Sequence, residues 1–283
     1  MNERCAVLDM PRHRIGEVAF RVAPLDQAVT GLIDEAGTAA LIGRGVAVHF
    51  ANAYTIALAE QDARYSALLS HDGSAVFTDG MPVAWVGRRA WPSMAERWER
   101  VYGPDVMQAV LAGSDERGPR HYLLGGSPET LDLLLRGIAL RWPLARIVGA
   151  ESPPYDLPSP ADLAERDARI AASGATMVWV GLGTPKQDWE AARLATSLPV
   201  VALAVGAAFD FLAGTKPQAP LWMQRSGMEW AHRLASEPRR LAHRYLWGNP
   251  RFLAAAARQP GLRPGSGERT ERMLVSGLAG REG

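Results

Sequence analysis

Apolar and polar positions along the chain fall into two alternating grammars, one with helical spacing and one of short unbroken apolar runs. Helical periodicity covers residues 24–36 (PLDQAVTGLIDEA), 54–70 (YTIALAEQDARYSALLS), 104–113 (PDVMQAVLAG) and 127–142 (SPETLDLLLRGIALRW). It returns at 159–174 (SPADLAERDARIAASG), with a serine cap and a glycine stop, and at 185–197 (PKQDWEAARLATS), opened by a proline. Between them lie VAVHF (46–50), the run ending at Asp79, HYLLGG (121–126), ARIVGA (145–150), TMVWVGLG (176–183) and VVALAVG (200–206), which read as strands, the Asp79 run and 176–183 as buried ones. Strands alternating with helices predict an α/β fold: a Rossmann-like, mostly parallel sheet with helices on both faces. From residue 219 the pattern is helical only, and the last residues are rich in Gly and Pro. The expected organisation is a core over 1–218, a basic helical C-terminal appendage over 219–258 and a flexible tail over 259–283.

Composition narrows the class. With 283 residues, 47% hydrophobic and 22% charged, the chain is long enough for a sizeable core. A single cysteine, Cys5, has no partner for an intrachain disulfide and cannot build a cysteine metal site, which fits a reducing compartment. No apolar run reaches eighteen residues, and the first residues carry charge without an apolar core, so a cytoplasmic protein without signal peptide or membrane span is expected. The net charge of +1 hides an asymmetry: residues 225–272 hold ten arginines against four glutamates. A basic C-terminal element suits an anionic partner, with nucleic acid, a phosphorylated ligand and a membrane surface all open, or else it is a solvated helical face.

Parallel sheets bind ligands beyond the carboxyl ends of their strands, so chemistry is sought in the loops there. Asn52 follows the first clear strand; it can bind a ligand or cap its helix. Asp79 ends the next, followed at once by Gly80 and then Pro82, and is either a catalytic carboxylate or an ordinary Asp-Gly turn. Gly125 and Gly126 precede a capped helix, and Gly181 and Gly183 precede Lys186 and Gln187 at a helix start. Such turns can cradle phosphates with backbone N–H groups, or serve steric ends alone. Neither matches the dinucleotide fingerprint or the P-loop, which disfavours nicotinamide and ATP chemistry.

Taken together these loops resemble one family. Gly181-Leu-Gly-Thr-Pro-Lys-Gln-Asp188, the run from Gly227 to Arg240 (GMEWAHRLASEPRR), Asn52, Asp79-Gly80, and Arg100, Val101, Gly103 and Asp105 are similar to the motifs of the WecG/TagA/CpsF glycosyltransferases, over about residues 46–247. The resemblance implies a metal-independent, inverting enzyme without a cofactor. Its donor would be a UDP-sugar (hexose, N-acetylhexosamine or uronic acid). The acceptor would be a polyprenyl-diphosphate-linked saccharide in cell-surface polysaccharide synthesis. It implies Asp79 as general base, Arg100 as a contact to the leaving diphosphate, and Asn52, Gly125, Gly126, Gly181, Gly183, Lys186 and Gln187 around the nucleotide donor. Arg233, Arg239, Arg240 and Arg244 would meet the diphosphate or an anionic membrane at the inner face of the cell membrane. Nucleic acid is not an expected partner, and a homo-oligomer is left open. Two positions depart from the family pattern: Gln218 stands where a basic residue precedes Ala219-Pro220, and Phe50 where a threonine is common. The competing reading is a non-catalytic protein of the same fold that binds a nucleotide-sugar or lipid carrier.

Overall fold

The computed structural model describes residues 7–154 and 156–259, and of Arg240 the backbone only. Of the tail expected over 259–283, residues 260–283 lie outside the described residues, as does Cys5. The central sheet contains six strands: β3 (Val46–Ala51), β4 (Ser74–Thr78), β5 (Arg120–Gly125), β6 (Arg146–Glu151), β7 (Met177–Gly181) and β8 (Val201–Ala204). They run in the order β4-β3-β8-β7-β5-β6, and every neighbouring pair is parallel. The α/β class is therefore observed as expected, with a main sheet that is wholly parallel.

Both faces are covered, as unbroken apolar strands require. Successive residues of a strand point to opposite faces. Phe50, Phe77, Leu203, Met177 and Trp179 join the core under α1 (Leu25–Ile42), α5 (Gly103–Ala112), α6 (Pro128–Arg141) and α9 (Ala208–Ala213). On the other face Ala51 and Val76 join Ile56, Tyr65, Leu69 and Val83 from α2 (Ala53–Ala59), α3 (Ala63–Ser70) and α4 (Met81–Ala90). Val178, Val180, Ala202 and Ala204 meet Ile170 of α7 (Pro160–Ala172) and Ala191 and Leu194 of α8 (Lys186–Ser197). Three helices follow residue 219: α10 (Leu221–Arg225), α11 (Glu229–Ser236) and α12 (Pro238–Ala257), the last lying along α2. Among the described residues no helix is long and apolar enough to cross a membrane.

Three elements differ from the sequence expectation. Residues 54–70 form two helices, because the Asp62 side chain accepts from the Arg64 and Tyr65 N–H groups and starts a new helix inside the periodic run. A helix, α4, begins directly after Asp79-Gly80, with Pro82 in its first turn where a missing N–H costs nothing. An antiparallel hairpin, β1 (Arg12–Ile15) and β2 (Val18–Arg21), precedes α1, turning at Gly16 with φ of 58°. Its four-residue strands are rich in arginine, so the hydrophobic pattern alone gives little signal.

One buried group has a consequence for stability. His121 on β5 is fully buried; its Nδ1 accepts from Trp179 Nε1 at 3.1 Å. The Ser114 hydroxyl spends its proton on the Val110 carbonyl, so His121 Nε2–H donates to Ser114 Oγ at 3.1 Å. A second ring proton would face the Trp179 N–H, and burial holds the pKa down at about 4. An unfolded histidine titrates near 6.5, so stability is complete above about pH 6.5 and is lost as pH falls toward 4, by about 3 kcal/mol at most. Urea unfolding of the wild type at pH 7 and pH 4.5 should show this loss. In His121→Gln the pH slope should flatten, whatever its baseline stability.

Candidate active site

The carboxyl ends of β3, β4, β5, β7 and β8 and the helices α11 and α12 surround one pocket of about 1040 Å³. That volume lies at the upper end of the ~300–1,000 Å³ usual for ligand pockets. Asn52, Asp79, Gly126, Gly181, Gly183, Lys186, Gln187, Arg233 and Arg244 all line it. Residues spread over nearly two hundred positions of sequence are thus brought to one place by the parallel topology.

Asp79 directly follows β4, and its N–H donates to the Ala51 carbonyl at 3.0 Å, which continues the pairing with β3. Its carboxylate is held on both sides. Asn52 Nδ2 donates to Oδ2 at 3.2 Å and the Gly103 N–H donates toward Oδ1 at 3.4 Å. Asn52 meanwhile accepts from the Tyr54 and Thr55 N–H groups, which makes it the cap of α2. Both readings of Asn52, cap and site residue, are satisfied by one side chain, because its amide oxygen serves the helix and its amide nitrogen serves Asp79. Burial pushes the Asp79 carboxyl above the usual aspartate range; Arg100 and Arg233 oppose that shift and Glu229 adds to it. A carboxylate that is fixed, poorly solvated and turned to a pocket is a competent proton acceptor.

Arg100 differs from its expected place. It does not line the pocket. Its Nε donates to the Asp79 carbonyl at 3.1 Å, one terminal nitrogen to Gln224 Oε1 at 3.0 Å and the other to Glu229 Oε2 at 2.5 Å. The guanidinium lies 3.6 Å from the Tyr102 ring centroid, and the Tyr102 hydroxyl donates to Glu229 Oε1 at 2.9 Å. With each of its three nitrogens bonded to a protein acceptor, Arg100 in this conformation ties the Asp79 loop to α10 and α11 and stands off the pocket wall.

The glycines separate into two kinds. Gly125, absent from the pocket wall, has φ of 131°, and a Cβ there would stand 2.5 Å from the Gly181 carbonyl oxygen, so its role is close strand approach. Gly181 lines the pocket but backs onto the Phe209 ring, 2.8 Å from where its Cβ would be. Gly126 and Gly183 have φ of 71° and 77° and face the pocket; around a Gly183 Cβ there is open space. Gly206, which the strand reading passed over, also lines the pocket with φ of 57°. Gln187 is buried beside it, its Nε2 donating to the Ala204 carbonyl at 2.9 Å. The next residue, Asp188, anchors α8 by accepting from the Tyr65 hydroxyl at 2.8 Å and pairing with His49 Nδ1 at 3.0 Å.

Cations on the pocket wall are not equivalent. Lys216 bridges Asp210 and Glu237, Arg166 bridges Glu151 and Glu190, and Arg193 pairs with Asp167 and Glu190. Arg233 approaches Glu229 at 3.9 Å and lies over the Phe211 ring. Arg244 is half-buried over the Tyr54 ring at 4.1 Å, and burial lowers its pKa. Among the described residues neither Arg244 nor the exposed Lys186 has an ion-pair partner. Arg239 is exposed and off the pocket wall, while the Arg240 side chain lies outside the described residues. The departures Phe50 and Gln218 also differ in place: Phe50 lines the pocket, stacked on Phe77, and Gln218 does not.

A fixed carboxylate, several cations and three positive-φ glycine turns thus converge on one pocket at the ends of a parallel sheet. Compared with known families, residues 14–265 match the model described as glycosyl transferase WecG/TagA/CpsF family, a span that includes every loop of the pocket. The chain is a member of the WecG/TagA/CpsF glycosyltransferase family.

Proposed function

We propose that the protein is an inverting glycosyltransferase that moves a sugar from a UDP-sugar to a saccharide carried on a polyprenyl diphosphate, in the making of a cell-surface polysaccharide. The single observation that carries this reading is the Asp79 carboxylate, gripped by Asn52 and the Gly103 N–H and facing a pocket whose wall also holds Arg244 and Lys186, neither with an ion-pair partner among the described residues. Asp79 takes the proton of the acceptor hydroxyl as its oxygen attacks the anomeric carbon, and UDP leaves from the opposite side. Arg244, helped by Arg233 and Lys186, meets the charge that develops on the diphosphate, so the counter-charge comes from side chains and N–H groups without a metal ion. Gly126, Gly183 and Gln187 line the donor's share of the pocket.

Exposed Leu221 and Trp222 on α10, Trp230 on α11 and Leu246 and Leu253 on α12, interleaved with arginines, fit a helical face against an anionic membrane that carries the lipid acceptor. On this reading the enzyme works at the cytoplasmic face of the cell membrane.

The test is UDP release from a panel of UDP-sugars with a short-chain polyprenyl-diphosphate sugar as acceptor. Release from at least one donor that depends on the acceptor is expected. Its absence with every donor and acceptor, together with retained binding of UDP-sugars, would favour the non-catalytic binding protein. Arg244→Ala should weaken UDP binding about tenfold to a hundredfold in calorimetry, as loss of a charge-assisted contact predicts, while leaving uridine binding unchanged.

A further inference from the structure

We propose that Glu229 of α11 is a positioning residue for the transfer reaction, which through Arg100 and Tyr102 makes the seating of α10 and α11 fix the orientation of Asp79 and the charge around it. This inference rests on the assignment of Asp79 as the base.

Glu229 is mostly buried and uses both oxygens: Oε2 accepts from Arg100 at 2.5 Å and Oε1 accepts from the Tyr102 hydroxyl at 2.9 Å. Arg100 in turn donates to the main-chain carbonyl of Asp79 itself at 3.1 Å, and Val101, next to it, donates to the Thr78 carbonyl at 2.7 Å. Gly103, one residue beyond Tyr102, supplies the N–H that faces Asp79 Oδ1. The segment 100–103 is thus bound to Asp79 at one side and to Glu229 at the other. Gln224 of α10 completes the grip: its Nε2 donates to the Ala219 carbonyl at 2.7 Å, which turns its oxygen toward Arg100. Such a network fixes a catalytic group only as well as its outer members hold it.

Charge points the same way as geometry. The groups around Asp79 are Asn52 from the end of β3, Arg100 and Tyr102 from the segment before α5, Glu229 and Arg233 from α11, and Arg244 from α12, with Asp105 of α5 4.0 Å from Arg100. Glu229 raises the Asp79 proton affinity directly and, by engaging Arg100, opposes the cation that would lower it. A stronger base at the strand end is what alcohol activation needs.

The decisive variant is Glu229→Gln, which keeps the shape and removes the charge. In protein labelled with ¹³C at aspartate carboxyls, with Asp79→Asn used to assign the signal, the Asp79 titration midpoint should move to lower pH. In transfer assays kcat should fall about ten- to a hundredfold with donor KM little changed, and the acid limb of kcat should move to lower pH in step with the NMR midpoint. An unmoved midpoint with wild-type kcat per folded molecule would overturn the proposal, leaving Glu229 as a helix-docking residue. If the midpoint moves but Asp79→Asn remains active, the fault lies instead with Asp79 as base. Should Glu229→Gln not fold, Tyr102→Phe removes one of the two grips alone. A fall in kcat of about threefold to tenfold is then expected, and an unaltered kcat overturns the proposal.

Discussion

Asp79→Asn should lower kcat about a thousandfold while leaving UDP-sugar binding within a few-fold of wild type. General-base catalysis is worth ~10²–10⁴ in rate, and an amide of the same shape cannot take the acceptor's proton. Measured as acceptor-dependent UDP release alongside calorimetric donor binding, the pair of results separates lost chemistry from lost architecture. Retained activity would remove Asp79 from the mechanism. The pH dependence follows in sign: because burial raises the Asp79 pKa, the base is ready only above the ordinary aspartate range, so activity climbs with pH through a limb shifted upward from that range.

The same shift makes a statement about stability. A carboxyl whose folded pKa is raised binds protons more tightly in the folded state, so ionising it as pH rises costs folding free energy. Asparagine carries no such cost. At neutral pH Asp79→Asn should therefore unfold at the same urea concentration as wild type or a higher one, even though one of the donors now facing Asp79, Asn52 Nδ2 or the Gly103 N–H, loses its best acceptor. Lower activity with undiminished stability is the signature of a residue placed for function against the preference of the fold.

Much of the fold and of the site is legible in the sequence, and what is not legible has two causes. Strands such as residues 177–180 and 201–204 are buried on both faces, so they read as unbroken apolar runs. Ser127 and Ser159 announce helix starts because capping is local chemistry. Asn52 and Asp79 could be named because both stand at strand carboxyl ends, where a parallel sheet puts its ligands. Glu229 and Tyr102 could not, since their importance lies in a pairing across 127 residues that only the docking of α11 creates. Arg100 was visible as a residue but not in its role, because nothing local says that its donors are taken by Gln224 and Glu229. The break at Asp62 is hidden for a different reason: an aspartate inside a periodic run is equally compatible with the exposed face of one helix and with the cap of a new one.

The two glycine turns show where sequence motifs mislead, and their variants should behave in opposite ways. Gly125→Ala is expected not to yield a folded protein, or to lose on the order of 3 kcal/mol or more, because a methyl there must enter space held by the Gly181 backbone, 2.5 Å away, while its φ of 131° is foreign to alanine. No flexible side chain can yield, since the obstacle is the neighbouring strand itself. Gly183→Ala meets nothing within 4 Å and suffers only the cost of a left-handed φ, about 1–2 kcal/mol, so it should fold with a somewhat lower melting temperature. Gly183 lines the pocket, however, and if that loop approaches the donor's diphosphate through its backbone, donor KM should rise about tenfold or more with a smaller change in kcat. Soluble yield and thermal melting read the first variant, and steady-state donor kinetics the second. A Gly183→Ala enzyme with wild-type donor KM would mean that this turn is glycine for its own conformation and that the diphosphate lies elsewhere, nearest to Gly126 and Gly206, whose positive φ values equally face the pocket.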